Sequence, residues 1–280
     1  DHDCKIQLRD GATLKQSKLY DMSREELEQL KKLLDLELQR GFIRPSESNS
    51  SAPVFFVRDP SNGNRSGQLR LVVDYRDLNS KIKLDEYPIP LTRTVMNDLA
   101  SADHITSFDV RSGFANLRMS PGYEGLTAFK TFYGLYEYTV MPMGLATAPS
   151  IFQRFMNSIL NPFLGIFCHA YLDDVVVFTK GSLELHKQRV TQVLETFARN
   201  ELRLKPHKCK WFRKEVDFLG FNVVCGKGVR MAHDKIQALR DLKPPRGVAD
   251  LRSVLGMFGF YDKFIPHYSD TIACLNDLLK

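Results

Sequence analysis

The chain has 280 residues, 43% of them hydrophobic and 26% charged, with 13 Pro and 17 Gly. That suits one large domain or two to three small ones around a sizeable core, and it excludes a collagen, a disordered tail or a disulfide scaffold. Lys and Arg number 39 against 33 Asp and Glu, a net charge of +6, which permits a polyanionic partner; no window reaches about 18 apolar residues, which excludes a membrane-spanning helix.

In chain order, residues 23–40 carry an amphipathic helix. Ser23 and Glu26 form a capping box, Leu27, Leu30, Leu34 and Leu38 share one face, and Gly41 closes it. Strand-like runs at 53–57 and 69–73 flank a turn at 60–64 and read as a hairpin. The segment 87–144 holds several further strand candidates. Pro149 opens a helix over 149–161 with an apolar stripe from Ile151, Phe152, Phe155, Met156, Ile159 and Leu160. An apolar strand pair interrupted by Asp173-Asp174 follows, then a helix over 182–199. From 226 the composition shifts at Gly226-Lys227-Gly228 to three helical stretches separated by Pro244-Pro245 and Pro266. Strands first, helices interleaved and a helical C-terminal third make an α+β chain. The cysteines at 4, 168, 209, 225 and 274 form no Cys-x-x-Cys pair and read as free thiols of a reducing compartment. The opening Asp1 to Lys5 has neither an initiator Met nor an apolar signal segment and reads as part of something longer.

The chemistry-bearing residues are acidic. Asp173 and Asp174 sit between β-prone runs, where a tight hairpin places them at its tip. A solvated acidic turn is one reading; the other is a divalent-metal site, since neighbouring anions repel unless a cation offsets them. Asp109 ends another strand-like run, and Ser112-Gly113 follow with backbone amides able to meet phosphate oxygens. Three carboxylates from two strand ends match the needs of a paired Mg²⁺ site: hard oxygen ligands and room for substrate phosphates. The alternative for Asp109 is a surface carboxylate at a strand terminus.

Tyr171-Leu172-Asp173-Asp174 resembles the Tyr-x-Asp-Asp box of reverse transcriptases, and Phe108-Asp109-Val110 through Phe114 resembles their first catalytic-aspartate motif. In order along the chain, 69–79 resembles the fingers motif, 138–145 with 148–153 the template and dNTP-pocket motif, and Phe218-Leu219-Gly220-Phe221 the primer grip. Gly41 to Ser46 and the 251–266 segment resemble the Ty3/gypsy retrotransposon branch.

The resemblance implies a right-hand polymerase fold: fingers over 1–98 and 115–148, palm over 99–114 and 149–225, and thumb over 226–280. It implies an RNA-directed DNA polymerase that extends a DNA primer on an RNA or DNA template with dNTPs. Asp109 and Asp173 would be the main ligands of two Mg²⁺ ions (Mn²⁺ as a substitute), helped by the Val110 carbonyl, with Asp174 contributing more weakly. Arg70 would hold the triphosphate, the Ser112 and Gly113 amides its oxygens, and Phe114 would exclude a 2′-OH. Met143 and Gly144 would line the nucleotide pocket, Met143 through packing. Phe218, Leu219, Gly220 and Phe221 would place the primer end.

Two positions depart from the family pattern: Met143 replaces the retroviral Gln before Gly144, where the Ty3/gypsy branch commonly has an apolar Phe, and the fingers Lys is absent. The candidate stretch for that Lys is Val57-Arg58-Asp59-Pro60, where Arg58 substitutes only if Asp59 points away from the triphosphate. The basic run 199–215, with Trp211 and Phe212 interleaved, tracks a phosphate backbone or is a solvated face; family position makes Lys208 a candidate for assisting pyrophosphate departure. The resemblance further implies an RNA–DNA hybrid partner, no membrane partner, an intracellular, cytoplasmic setting within virus-like particles, and no RNase H activity, because the family's connection and RNase H regions follow the matched segment. The rival readings are a descendant that binds RNA or protein without polymerising, and a metal-dependent nucleotide cyclase or phosphatase on a similar palm.

Overall fold

The computed structural model describes residues 2–58 and 69–279. Ser23 starts the first helix, α1 (Arg24–Gln39): its hydroxyl accepts the Glu26 N–H, and the Glu26 carboxylate accepts the Ser23 N–H at 2.7 Å. This is the expected capping box, and Leu30 and Leu34 are the residues α1 buries. The chain continues through β1 (Ile43–Pro45), β2 (Ala52–Arg58), β3 (Leu69–Val73), α2 (Arg76–Lys81), α3 (Thr92–Ala100), β4 (His104–Asp109), β5 (Phe129–Thr131) and β6 (Gly134–Tyr138). Strands β1, β6, β5, β2 and β3 form one sheet in that order. β2 and β3 pair antiparallel from Val54–Val73 to Arg58–Leu69, as the hairpin reading expected, and the turn assigned to 60–64 lies outside the described residues.

After α4 (Ala148–Leu160), β7 (Cys168–Tyr171), β8 (Asp174–Thr179), α5 (Leu183–Arg199) and β9 (Lys210–Arg213), a second sheet is complete in the order β7-β8-β4-β9, all antiparallel. Its central strands are buried on both faces, and alternation along them feeds two cores. Phe108, Val175 and Val177 join Phe152 and Met156 of α4 and Val193 and Phe197 of α5. Ile105 and Val176 join Val95, Met96 and Leu99 of α3 on the other side. That second core is closed by β10 (Glu215–Phe218), β11 (Phe221–Val224) and β12 (Gly228–Met231), a three-stranded antiparallel sheet.

The strand β12 corrects the sequence pattern, which placed helices directly after 226. Gly226 and Gly228 take positive φ (+67° and +110°) and turn the β11–β12 hairpin, a conformation glycine adopts without steric cost. Helices α6 (His233–Arg240), α7 (Val248–Phe260) and α8 (Tyr268–Asp277) follow, separated at the prolines as expected. The five cysteines are free. Among the described residues no helix is long and apolar enough to cross a membrane.

One buried polar contact fastens the second sheet to its helix. His186 of α5 is 0% exposed, with Nε2 at 2.8 Å from Thr106 Oγ1 of β4 and Nδ1 at 2.8 Å from Thr179 Oγ1 of β8. Burial, then His104 and Arg189 nearby, push its imidazole down to about 4. In the unfolded chain the group protonates near 6.5, so acidification through that value stabilises the unfolded state first. The native state should therefore lose roughly 1–2 kcal/mol between pH 7 and 5 through this residue, after allowance for solvent screening. A His186→Gln variant should lose that part of the pH dependence in urea unfolding measured at the two pH values; equal slopes in both proteins would contradict the assignment.

Candidate active site

Antiparallel register sets Asp109, the last residue of β4, directly opposite Asp174, the first of β8. Tyr171 pairs with Asp174, leaving Leu172 and Asp173 as a two-residue hairpin turn. Leu172 has φ +55°, the positive first central position of a tight hairpin turn, which costs a branched residue on the order of 1 kcal/mol or more. Two contacts hold this geometry. Val110 N–H donates to the Asp173 carbonyl at 3.0 Å. Gln153 of α4, 0% exposed, accepts the Leu172 N–H through Oε1 at 2.8 Å and donates through Nε2 to the Ala170 carbonyl at 2.9 Å and to Asn157 at 2.8 Å.

Asp173 is exposed and Asp174 half-buried. Burial pushes the Asp174 carboxyl up to about 6, with Asp173 and Asp109 adding to the rise and Lys205 and Lys208 offsetting part of it. Asp109 faces those two cations, Lys205 Nζ at 2.6 Å from Oδ1 and Lys208 Nζ at 3.6 Å from Oδ2. Among the described residues no three His, Cys, Asp or Glu side chains form a ready-made metal cage. The donor set is nevertheless suited to a hard divalent cation: oxygen ligands only, on a site where two anions raise the pKa of a third.

Next to the carboxylates, the chain reverses tightly. Ser112 takes φ +55°, and a Cβ on Gly113 would meet Asp173 Cβ at 3.3 Å and the Phe152 ring at 3.5 Å. Glycine is what lets this backbone lie against the Asp173 turn. Phe114 is half-buried, edge-on to Phe152 with ring centroids 5.5 Å apart.

Ser112 also lines a cleft of about 370 Å³ with Arg70, Met143 and Gly144. Arg70 Nη2 lies 3.1 Å from Met143 Sδ, and Met143 is 58% exposed. Gly144 has φ +95° and packs where a Cβ would meet the Tyr75 ring at 3.5 Å. Asn79 pins this loop from α2, donating to the Gly144 carbonyl and accepting the Ala146 N–H, both at 2.8 Å.

Arg58 does not join this cleft. The register pairs Arg70 with Val57 and Arg58 with Leu69, so alternation puts Arg58 on the opposite face of the hairpin from Arg70; Asp59 lies outside the described residues. The Phe218–Phe221 segment forms a separate structure, the β10–β11 turn, with Leu219 and Gly220 at φ +50° and +80°. Phe218 and Phe221 are buried beneath it. Tyr261 donates its hydroxyl to the Gly220 carbonyl at 3.3 Å, and Phe260 stacks on Phe221 with centroids 5.2 Å apart.

Lys205, Gln153 and Asn79 are the site-forming residues that the motifs alone left without a role. Lys205 stands in the basic run, yet only pairing of its backbone with Asp109, N–H to carbonyl at 2.9 Å, selects it. Trp211 and Phe212 lean on the second sheet, Trp211 against Phe108 at 5.3 Å and Phe212 against His186 at 5.8 Å.

A family model described as reverse transcriptase (RNA-dependent DNA polymerase) matches residues 58–223. The chain is 34% identical over 264 residues to the Retrovirus-related Pol polyprotein from transposon 297 of Drosophila melanogaster, covering 94% of this chain and 25% of that protein. The corresponding polyprotein from transposon opus, also of Drosophila melanogaster, is 33% identical over 252 residues, covering 90% of this chain and 25% of that protein. The Transposon Tf2-3 polyprotein of Schizosaccharomyces pombe is 33% identical over 243 residues, covering 87% of this chain and 18% of that protein. The chain thus spans a quarter or less of the length of these curated relatives. Among solved structures, the foamy viral protease-reverse transcriptase in complex with RNA/DNA hybrid superimposes with a TM-score of 0.82 at 22% identity, over 98% of this chain and 36% of that one. The same protein in complex with dsDNA gives 0.83 at 22%, over 98% and 56%. The α+β architecture is therefore the right-hand polymerase fold of reverse transcriptases.

The Gln153 contacts can be tested by substitution. A Gln153→Leu substitution keeps the apolar bulk but strands the Leu172 N–H and the Ala170 carbonyl, at about 1–3 kcal/mol for each group left unsatisfied. Urea unfolding should show a loss of roughly 2–4 kcal/mol, and an unchanged midpoint would mean that the hairpin is held elsewhere.

Proposed function

Because the chain belongs to the reverse transcriptase (RNA-dependent DNA polymerase) family, we propose that it extends a nucleic-acid primer with dNTPs on RNA or DNA templates. The observation that carries the reading is the cross-strand pair Asp109–Asp174 with Asp173 at the adjoining turn, next to a cleft that Ser112 shares with Arg70. In this reading the fingers, palm and thumb take the divisions expected from the motifs, and two divalent ions, Mg²⁺ or Mn²⁺, would be held by Asp109, Asp173 and the Val110 carbonyl with Asp174 beside them. When bound there, such ions supply a lowered pKa at the primer 3′-OH and neutralisation of the triphosphate.

The chain's own residues do the positioning. Asp109 is held by Lys205 and Lys208 until a cation competes for it, so its charge is already oriented at the strand end. Arg70 presents a planar guanidinium to the triphosphate, a bidentate geometry suited to phosphate oxygens. The amides of Ser112 and Gly113 meet the same oxygens, on a backbone brought close by the absence of a side chain at Gly113. Phe114, braced edge-on by Phe152, fills the space a ribose 2′-OH needs. The Phe218–Phe221 turn places the primer end, with α7 fixing it through Tyr261. Lys208, with Lys205 nearer to Asp109, stands beside the departing pyrophosphate.

RNA template, DNA primer and their hybrid are the partners of this reading, recognised by backbone and shape more than by base, and an intracellular, cytoplasmic setting within virus-like particles goes with it. Primer extension on an annealed RNA template with dNTPs and Mg²⁺ tests it directly. Template-directed product is expected from the wild type, and on the order of a thousandfold less from Asp173→Asn, an isosteric change at an exposed side chain that should leave the fold in place. A wild type that binds primer–template but never extends it would establish the non-polymerising reading instead. Substituting Phe114 by Ala should leave dNTP use in place and raise rNTP incorporation relative to dNTP by about 10- to 200-fold, the range steric pocket discrimination allows; unchanged sugar selectivity would remove Phe114 from that role.

A further inference from the structure

Ser112, Ala115, Arg40, Phe42 and Val140 line two clefts at once: the one that holds Arg70, and a second of about 840 Å³ that takes in Arg111, Arg118 and Arg203. Two other arginines of the second cleft are engaged, Arg40 with Glu37 at 2.9 Å and Arg44 with Glu137 at 2.8 Å. Arg111, Arg118 and Arg203 are exposed and make no ion pair among the described residues. Three guanidinium groups with no carboxylate at ion-pair distance, in a cleft whose five arginines outnumber its carboxylates Asp3, Glu124 and Glu201, are an anion-binding arrangement, because like charges gathered in a cleft focus a positive potential there.

The backbone connects this cleft to the carboxylates. Lys205 N–H donates to the Asp109 carbonyl at 2.9 Å and Arg111 N–H to the Arg203 carbonyl at 2.7 Å, on either side of the Val110–Leu204 bridge. In an antiparallel ladder, opposed residues share a face and every second residue returns to it. Asp109, Lys205, Arg111 and Arg203 therefore project to one side, while Val110 is fully buried on the other. Over about 7 Å of strand the ribbon passes from a carboxylate paired with a lysine to two unpaired guanidinium groups.

We propose that the Arg111–Arg118–Arg203 cleft binds a diphosphate group, either the pyrophosphate released beside Asp109 or the diphosphate of a second nucleotide. Paired guanidinium forks match phosphate oxygens bidentately, and the volume fits a nucleotide-sized guest. Asp3, Glu124 and Glu201 interrupt the same lining and confine the positive potential to the arginines, which suits a compact diphosphate better than a long duplex backbone. The source of the pyrophosphate rests on the polymerase reading; the binding of a diphosphate does not.

Isothermal titration calorimetry on the whole chain, with sodium pyrophosphate and separately with ATP, tests the site. Wild type should bind pyrophosphate; R118A/R203A should weaken it at least fivefold, whereas Arg70→Ala should keep it within twofold. R118K/R203K, which keeps charge but loses the fork, should fall between. Pyrophosphate binding at least as tight as ATP assigns the leaving group, and tighter ATP, lost in the same double variant, assigns a second nucleotide. The proposal is overturned if wild type binds neither ligand, if R118A/R203A binds as wild type does, or if the double variant loses primer–template affinity by the same factor, which would make the surface a nucleic-acid contact. Thermal melts of both double variants exclude a folding defect. Absent primer extension by the wild type would instead count against the polymerase reading and leave the calorimetric result standing.

Discussion

Two carboxylates placed opposite each other at the ends of the two central strands of a sheet are the constraint around which this molecule is arranged. Directly opposed like charges destabilise a strand pair, yet Asp109 and Asp174 occupy just such a register position, with Asp173 in the turn immediately before Asp174. The surroundings compensate in separate ways. Lys205 and Lys208 neutralise Asp109, Gln153 fixes the strained turn at Leu172, and Val110 ties the end of β4 to that turn. At Asp174, burial, joined by repulsion from Asp173 and Asp109, outweighs the two lysines and pushes its carboxyl up to about 6. The fold thus holds an electrostatically unfavourable arrangement in place with packing and hydrogen bonds, the expected state of a site whose remaining charge is balanced by what it binds.

Rigidity beneath the carboxylates comes from the strands that carry them. Successive residues of β4 and β8 enter different cores, Val175 and Val177 on one side and Val176 on the other, so a shift in either strand would disturb both. His186 adds a polar fastening through Thr106 and Thr179, and Thr106 also accepts the Phe212 N–H at 3.1 Å. One imidazole therefore relates β4, β8, α5 and the edge strand β9. Such a platform suits chemistry in which positioning supplies most of the catalysis.

Features written in short sequence windows were legible beforehand. The capping box at Ser23, the antiparallel pairing of β2 with β3, the helix opened by Pro149 and the Asp173 turn all follow from local spacing and turn chemistry, and the structure contains each of them. What escaped depends on pairing between distant segments. Gln153 sits inside the apolar stripe of α4, and an amide among Phe152, Phe155 and Met156 is itself a signal of a buried partner; its partner is the Leu172 amide on another element. Lys205 could not be told from the other cations of its run until 203–205 was laid beside 109–111. Arg58 failed for the same reason, since whether it shares a face with Arg70 is decided by register alone. The glycines at 226 and 228 looked like a boundary because a hairpin turn and a linker have the same composition.

The latch between Tyr261 and the Leu219–Gly220 turn has a mechanical consequence. The turn carries two residues at positive φ and has its carbonyl held by the Tyr261 hydroxyl, while Phe221 just beyond it is stacked on Phe260. A Cβ at Gly220 would come within 3.1 Å of that hydroxyl, so no slack exists between the hairpin and the end of α7. The hairpin turn and the end of α7 are thereby tied to each other. In the proposed reading, a duplex that displaced α7 would carry the hairpin tip with it, so that the diameter of the bound helix would set a position at the turn without any base being read.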